Sequence, residues 1–363
     1  MGAVHPGWPV PGPAARHHVV MAFSCTSSPL MRRAARAVGL GALLAAVLAP
    51  AAHAAPTTIA TEQRATPISA WAGTVVWSSF DATTNDYHLV VSRNGAAPQR
   101  LAVAPSANAF DVDLGTNRSG STYAVYSRCT TPATQNTPPT DCDLYRLSIA
   151  SGIETKLDTL SSPTWDERDP TIFRGEIAFI RNETHGGKTQ DVLRIGNTTS
   201  ASQGTTALVK LNRLGGSLQD PEIAQSRLAY VQTNRNGTIR DVHIRTLKAG
   251  GSDKRVYRST SGGANAANVT GPALSDTAGS FFWARTNNGS ETGNRIVRYT
   301  ISSGKLAYAI GSRLYQYTTW ASQALGIAAV VDPSATGSCS SNINVPGACT
   351  VQLTGPLRFD AAP

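Results

Sequence analysis

The stretch Asp169–Ile195 reads DPTIFRGEIAFIRNETHGGKTQDVLRI, and it carries the marks of three short β-strands in succession. A near-copy, DPEIAQSRLAYVQTNRNGTIRDVHIR, follows at Asp220–Arg245. Each copy begins with Asp-Pro, passes through an apolar run and reaches an Asp that opens a second apolar run. Short β-rich runs that alternate with Gly, Asn, Ser and Thr clusters are typical of an all-β protein.

The same unit recurs along the chain with a period of about 50 residues, which is the range of propeller blades. Asp143, Asp191 and Asp241 lie 48 and 50 residues apart, and we interpret them as caps of the incoming hairpins. We place the prolines at the first residue of a strand, where the missing N–H breaks no ladder bond. These marks define six units, at about residues 65–108, 109–158, 159–212, 213–259, 260–312 and 313–354.

One such unit cannot bury both faces of its small sheet, whereas six units packed around an axis can. The sequence therefore predicts a single domain over residues 55–363, an all-β six-bladed β-propeller with four-stranded antiparallel blades. Closure of the ring needs a strand from the other terminus, and we expect Thr57–Thr61 to pair beside Cys349–Leu353 in the last blade. Two separate β-sandwiches are the alternative architecture.

The chain resembles the TolB-type family of six-bladed propellers in second strands such as Glu176-Ile-Ala-Phe179 and Arg227-Leu-Ala-Tyr230 and in the third strand Asp143-Leu-Tyr145. Members of that family are exported bacterial proteins. The resemblance implies a protein-binding or scaffolding role in the cell envelope, for which no chemistry is required.

The residues before Ala55 carry the signals of export. Arg32 and Arg33 belong to a positively charged n-region, Val38–Leu48 is an apolar h-region too short to span a membrane, and Ala52–Ala54 is an A-x-A cleavage site. We therefore expect a signal peptide at residues 31–54 and a secreted or envelope location. The Sec route is favoured over Tat, because no Phe-Leu-Lys follows the twin arginines.

The chain of 363 residues has a formal net charge of +9, but residues 1–54 hold four arginines and no acid. The mature chain therefore has 28 basic and 23 acidic residues, a net charge of +5, and its basic residues are scattered. We expect no nucleic-acid partner and no transmembrane segment after signal cleavage. Residues 1–30 are interpreted as a disordered extension or a misassigned start, with Met21 and Met31 as alternatives.

Four cysteines remain after the leader, and an even count in an exported chain suggests disulfides. Three pairings are possible. Position favours Cys129–Cys142 and Cys339–Cys349, because each pair would close a short excursion between two strand-like runs. A zinc site is the rival, although no His lies near either pair.

The loops that lead into the first strands converge on one mouth of the central channel. We expect an acidic ring with aromatic flanks there, which would suit a cationic peptide segment, a sugar or a metal ion. The alternative is that the Asp-Pro pairs are structural and the Trp residues fill blade interfaces. The predicted ligand-binding residues are Trp165, Asp166, Arg168, Asp169, Asp220, Glu222, Asp111 and Trp320.

We expect a non-catalytic binding module whose partner is another envelope or extracellular protein, a peptide or a glycan. One alternative is an enzyme that cleaves a glycan with Asp166 and Asp169 as acid and base. A second is a structural envelope protein without a small ligand. No catalytic residue, metal site or cofactor is assigned, although the oxygen-rich stretch Asp111–Asn117 leaves calcium as an alternative.

Overall fold

The structure is a computed structural model that describes residues 56–134, 138–198, 204–211, 216–248, 250–260, 267–287, 295–309, 315–322, 326–332, 339, 348–354 and 359–361. All of them belong to the compact unit Ala51–Pro363. The predicted extension and signal peptide, residues 1–54, lie outside the described residues. No helix long and apolar enough to cross a membrane occurs in the part of the chain that is described.

The described strands form six separate antiparallel sheets, which confirms the predicted six-bladed propeller. The first strand, β1 (Thr57–Glu62), belongs to the last blade. The strands of blades 1 to 3, from the axis outward, are β2 (Ile68–Trp71), β3 (Thr74–Asp81), β4 (Asp86–Arg93), β5 (Gln99–Arg100); β6 (Asp113–Thr116), β7 (Thr122–Thr131), β8 (Thr140–Ser148), β9 (Glu154–Lys156); and β10 (Asp166–Phe173), β11 (Glu176–His185), β12 (Lys188–Asn197), β13 (Thr205–Lys210).

Blades 4 to 6 follow the same order outward from the axis. Their strands are β14 (Gly216–Ala224), β15 (Arg227–Asn234), β16 (Ile239–Thr246), β17 (Asp253–Thr260); β18 (Ala267–Leu274), β19 (Ser280–Asn287), β20 (Arg295–Thr300), β21 (Lys305–Ala309); and β22 (Tyr315–Ser322), β23 (Gly326–Asp332), β24 (Cys349–Thr354). A last strand, β25 (Phe359–Ala361), lies outside β21.

The ring closes in two places. The inner strands β2, β6, β10, β14, β18 and β22 contact each other in that order, and β22 also contacts β2. At the rim, β1 pairs antiparallel with β24, from Thr57 opposite Leu353 to Glu62 opposite Cys349. The predicted closure of the last blade by the N-terminal strand is therefore confirmed.

The second strand of each blade is buried on both faces because the blade lies between two neighbours. Val75–Trp77, Ile177–Ile180 and Leu228–Val231 are almost fully buried. Burial on both faces explains why these strands read as continuous apolar runs rather than alternating ones. The largest side chains in the core are Trp77 and Trp283.

Two disulfides are present, and they have the pairing that position favoured. Cys129 and Cys142 lie directly opposite each other on β7 and β8, and Cys339 is bonded to Cys349 at the start of β24. Two disulfides are consistent with an extracytoplasmic location.

Blade 5 has a fifth strand that we did not expect. Strand β25 pairs with the outer strand β21, from Ala307 opposite Ala361 to Ala309 opposite Phe359. A three-residue strand is too short to show alternation in the sequence. Its position follows from the open edge of β21, whose unpaired backbone groups can accept another strand.

Candidate functional site

The inner strands of blades 3, 4 and 5 each contain a bulge at the residue before proline. Asp169, Asp220 and Gly271 have positive φ angles of 50°, 46° and 55°, and the register of each strand shifts there. Our placement of the prolines at the first residue of a strand is wrong, because Pro170 and Pro221 lie inside β10 and β14. A bulge accommodates proline because the extra residue is unpaired in the ladder.

In blades 1, 2 and 3, one side chain of the inner strand accepts a hydrogen bond from the backbone of the next blade. These bonds join the inner strands of blades 1 to 4 side by side, which the sheet ladders within each blade cannot do. The donors and acceptors are Leu114 N–H to Ser69 Oγ (2.9 Å), Ile172 N–H to Asp113 Oδ2 (2.8 Å) and Ile223 N–H to Thr171 Oγ1 (3.1 Å).

Asp113 is the most connected member of this set. Its Oδ1 accepts a bond from the Ser69 hydroxyl at 2.6 Å, and its Oδ2 accepts one from the Thr171 hydroxyl at 2.9 Å. Burial raises the pKa of Asp113 to about 6, although these hydrogen bonds lower it in part. Glu222 is also buried, with Oε2 3.3 Å from the Thr171 hydroxyl. Glu222 is therefore buried between neighbouring inner strands and does not line the pocket between blades 2 and 3 that contains Asp166.

A second row of carboxylates consists of Asp111 and the two bulge residues Asp169 and Asp220. Asp111 accepts the backbone N–H of Asp169 at 2.6 Å, and it also accepts the N–H and hydroxyl of Ser127 at 2.6 Å each. Burial and the nearby charge of Asp169 raise the pKa of Asp111 to about 7. Burial, followed by the charge of Asp169, likewise raises the pKa of Asp220 to about 7. Asp111, Asp169 and Asp220 thus form an electrostatically linked row across blades 2 to 4.

A pocket of about 350 Å³ opens at one end of this row, between blades 2 and 3. We call it the Asp166 pocket. The disulfide hairpin of blade 2 forms one side of it, and four of the predicted ligand-binding residues line it. Its lining consists of Ser106, Asn108, Ala109, Asp111, Ser127, Cys129, Pro138, Pro139, Thr140, Cys142, Asp166, Arg168, Asp169 and Asn182.

The carboxylate of Asp166 has a single hydrogen-bond partner among the described residues. Its Oδ1 accepts the backbone N–H of Cys142 at 3.0 Å, which ties the start of β10 to the disulfide hairpin. Within the described residues, Oδ2 of Asp166 accepts no hydrogen bond. The side chain is partly exposed, so that this oxygen is available to a ligand in the pocket.

Arg168 is held in place by two carboxylates. Its Nη1 lies 2.6 Å from Asp169 Oδ2, and its Nη2 lies 2.7 Å from Asp191 Oδ2 and 3.0 Å from the carbonyl of Leu218. Burial lowers the pKa of Arg168, but the two carboxylates outweigh that effect and raise it above its ordinary value. The positive charge of Arg168 is therefore balanced inside the protein.

The remaining predicted residues lie elsewhere. The Trp165 ring is 5.7 Å from that of His185, and the Arg181 guanidinium lies 6.0 Å from the Trp165 ring centre. Asp220 and Glu222 lie on β14 in blade 4, and Trp320 lies on β22 in blade 6. Among the described residues, the carboxylates of this site lie on blades 2 to 4.

Asp191 belongs to the site, although we interpreted it as a hairpin cap. Its Oδ2 accepts the backbone N–H of Leu218 in the next blade at 2.9 Å, and its Oδ1 accepts the amide of Asn182 at 3.1 Å. The third-strand repeat identified the residue, but a repeat within one blade does not reveal a partner in another. Asp191 therefore positions Arg168 and joins blades 3 and 4.

The side-chain oxygens of the stretch Asp111–Asn117 bond to several different partners. Those of Asp111 and Asp113 bond to neighbouring strands, and Asn117 Oδ1 accepts the backbone N–H groups of Ser119 and Ser121 in its own turn. Within the described ranges, no group of three or more His, Cys, Asp or Glu side chains is placed to hold a metal ion.

No protein-family profile and no curated protein matches this chain. Among solved structures, TolB from Acinetobacter baumannii is 11% identical and has a TM-score of 0.48, with 79% of this chain and 65% of that chain covered. A prolyl endopeptidase structure is 11% identical with a TM-score of 0.45, with 83% and 44% covered. The propeller domain of the Trilobed protease from Pyrococcus furiosus is 7% identical with a TM-score of 0.45, and 82% of each chain is covered.

At these identities the likeness concerns the fold alone. This chain spans less than two thirds of the TolB chain and less than half of the prolyl endopeptidase chain.

Proposed function

We propose that this chain is an extracytoplasmic, non-catalytic binding propeller, and that the Asp166 pocket takes a positively charged group of a protein or peptide partner. The observation that carries the proposal is the carboxylate of Asp166, which lines the pocket with one oxygen unpaired among the described residues. A partly buried carboxylate oxygen without a protein donor favours a ligand that donates to it.

The charges around the pocket support a cationic ligand. Asp111, Asp166 and Asp169 line it, and the one arginine in the lining, Arg168, is balanced by Asp169 and by Asp191 behind it. The pocket therefore keeps a negative charge near neutral pH, and this charge becomes larger once Asp111 loses its proton. A cavity of about 350 Å³ accommodates a long side chain such as that of lysine or arginine.

The setting of the pocket supports a peptide rather than a free ion. Pro138, Pro139 and Thr140 come from the hairpin that the Cys129–Cys142 disulfide closes, and they form one side of the opening. A ligand that inserts one cationic side chain would leave its backbone along this rim. The export that residues 31–54 predict and the two disulfides support a partner in the envelope or outside the cell.

The test is fluorescence anisotropy with a labelled tri-lysine peptide and a labelled tri-glutamate peptide. We expect the mature protein to bind tri-lysine and not tri-glutamate. The Asp166→Asn variant should bind tri-lysine at least about tenfold more weakly, because asparagine keeps an acceptor for the Cys142 N–H but loses the charge.

Asp158→Asn is the matched control, because Asp158 is 81% exposed and lies outside the pocket lining. Equal tri-lysine affinity for the mature protein and the Asp166→Asn variant would contradict the proposal.

A glycan-cleaving enzyme is the second candidate, and one observation favours it. A carboxyl with a pKa raised to about 7, Asp111, lies in the same pocket as Asp166 and Asp169, as an acid-base pair requires. The oxygens of Asp111 nevertheless accept three bonds from the protein itself, which is why we favour binding. Release of nitrophenol from nitrophenyl glycosides that is abolished in Asp166→Asn would support the enzyme instead.

A further inference from the structure

We propose that the propeller carries a second site, which binds a small oxyanion at the end opposite the Asp166 pocket. Asp166 begins the eight-residue strand β10, and Arg174 follows its last residue, so the two sites lie at opposite ends of one strand. The second site is a pocket of about 420 Å³ formed by the inner hairpins of blades 2, 3 and 4. We call it the arginine pocket, and its lining is Arg118, Phe173, Arg174, Glu176, Gln225 and Ser226.

The two arginines of this pocket differ from Arg168 on β10 and Arg181 on β11 in their lack of ion-pair partners. Arg168 and Arg181 each have a carboxylate oxygen at 2.6 Å. Within the described ranges, neither Arg118 nor Arg174 forms an ion pair. Two guanidinium groups that share a cavity and form no ion pair favour an anionic ligand with planar or tetrahedral oxygens, which guanidinium binds through paired N–H donors.

Both arginine side chains are exposed, and each lies beside a neighbouring group. The Arg174 guanidinium lies 5.5 Å from the ring centre of Phe173. Arg118 lies against Gly175, where an added Cβ would come within 3.6 Å of the Arg118 Cγ. The N–H of Gly175 bonds to the carbonyl of Thr116 at 2.7 Å, so the two hairpins that carry the arginines are joined. Such fixation lowers the entropy cost of ligand binding.

The rest of the lining fits a small polar anion. Gln225 donates from Nε2 to the carbonyl of Asp276 at 3.1 Å, which fixes its amide, and Ser226 contributes a hydroxyl. Glu176 is the one carboxylate among the lining residues, so the two arginines leave an excess positive charge. The negative charge of Glu176 would weaken the binding of an oxyanion. Removal of that charge therefore tests whether the ligand is negatively charged.

The hairpins tolerate removal of both arginines. Arg174 has a φ of 51°, and the equivalent turn of blade 1 has Ala72 at a φ of 44°, so alanine is compatible with this backbone. The turn that contains Arg118 is held by Asn117, whose Oδ1 accepts the N–H groups of Ser119 and Ser121. Arg118→Ala and Arg174→Ala should therefore fold normally.

The experiment is isothermal titration calorimetry of the mature protein at low ionic strength with sodium pyrophosphate and, separately, sodium glucuronate. We expect at least one probe to bind, and the tighter one shows whether phosphate or carboxylate oxygens are preferred. The double variant Arg118→Ala/Arg174→Ala should lose at least about tenfold in affinity. Arg235→Ala is the matched control, because Arg235 is an exposed hairpin arginine at the other end of its blade.

Two further variants complete the test. Glu176→Gln should tighten binding of the preferred probe severalfold, and a weaker binding in this variant would overturn the proposal. Asp166→Asn should leave it unchanged, which separates this site from the proposed peptide site. Absence of binding by both probes, or equal affinity in the double arginine variant, would also overturn it.

Discussion

The carboxylate of Asp113 in blade 2 accepts the backbone N–H of Ile172 in blade 3 at 2.8 Å. This bond joins two strands that belong to different sheets. Equivalent bonds, which the hydroxyls of Ser69 and Thr171 accept from the backbone of the next blade, continue the connection from blade 1 to blade 4. Side chains of the inner strands therefore contribute to ring cohesion in addition to the apolar faces of the blades.

Asp113→Ala should lower the free energy of unfolding by about 2–3 kcal/mol, because it leaves the buried Ile172 N–H without its acceptor and removes the partner of two hydroxyls. Asp113→Asn should cost less, because one carbonyl oxygen remains. Urea denaturation followed by tryptophan fluorescence measures both. A loss below about 0.5 kcal/mol in Asp113→Ala, the size of an ordinary surface substitution, would show that this bond contributes little.

Stability should fall as the pH rises from about 4 to 7.5. The pKa values of Asp113, Asp111 and Asp220 in the folded protein are raised to about 6, 7 and 7, whereas an unfolded Asp titrates near 3.9. Between these values the folded state binds more protons than the unfolded state, so the stabilisation present below about pH 4 is lost as the pH rises through the folded pKa values.

Urea unfolding midpoints at pH 4.5, 6.0 and 7.5 measure how stability depends on pH. The double variant Asp111→Asn/Asp220→Asn should show a smaller change of midpoint with pH. The pKa values of Asp81, Glu183 and Asp253 are lowered, so their contribution is lost in the opposite direction, as the pH falls. A midpoint that rises steadily from pH 4.5 to 7.5 would contradict the assignment of protons to the inner carboxylates.

The two disulfides should have similar effects on stability and different effects on binding. They span 13 and 10 residues, and replacement of either pair by serine should cost about 3 kcal/mol through the loss of loop closure. Only the Cys129/Cys142 pair lines the Asp166 pocket. Its replacement should therefore weaken tri-lysine binding, whereas replacement of Cys339/Cys349 should not. Equal effects on binding would mean that the hairpin rim plays no part.

The sequence predicted the elements of the fold that repeat or that close the repeat. Thr57–Thr61 could be assigned to the last blade because a ring of units needs a terminal strand, and the pairing of Thr57 opposite Leu353 confirms it. The bulges at Asp169 and Asp220 could not be predicted, because the residue before a proline is ordinarily restricted to extended conformations. Only the packed ring holds these residues at positive φ.

The pocket could be predicted only in part. Asp111, Asp166, Arg168 and Asp169 were found because they lie near the start of successive inner strands. The hairpin residues Pro138 to Thr140 were missed, because they enter the pocket through the fold of a long loop that no repeat describes. Arg118 and Arg174 were missed for another reason, since single charged residues in turns resemble ordinary surface residues in a sequence.

A double-mutant cycle between Asp166 and the lysines of the tri-lysine peptide tests the central claim most directly. Each lysine is replaced in turn by norleucine, which keeps the carbon chain and lacks the ammonium, and affinities are measured for the mature protein and Asp166→Asn. We predict a coupling energy of about 1.5 kcal/mol or more for one lysine, as expected for a close charge pair. Coupling energies within about 0.5 kcal/mol of zero for all three would contradict the account.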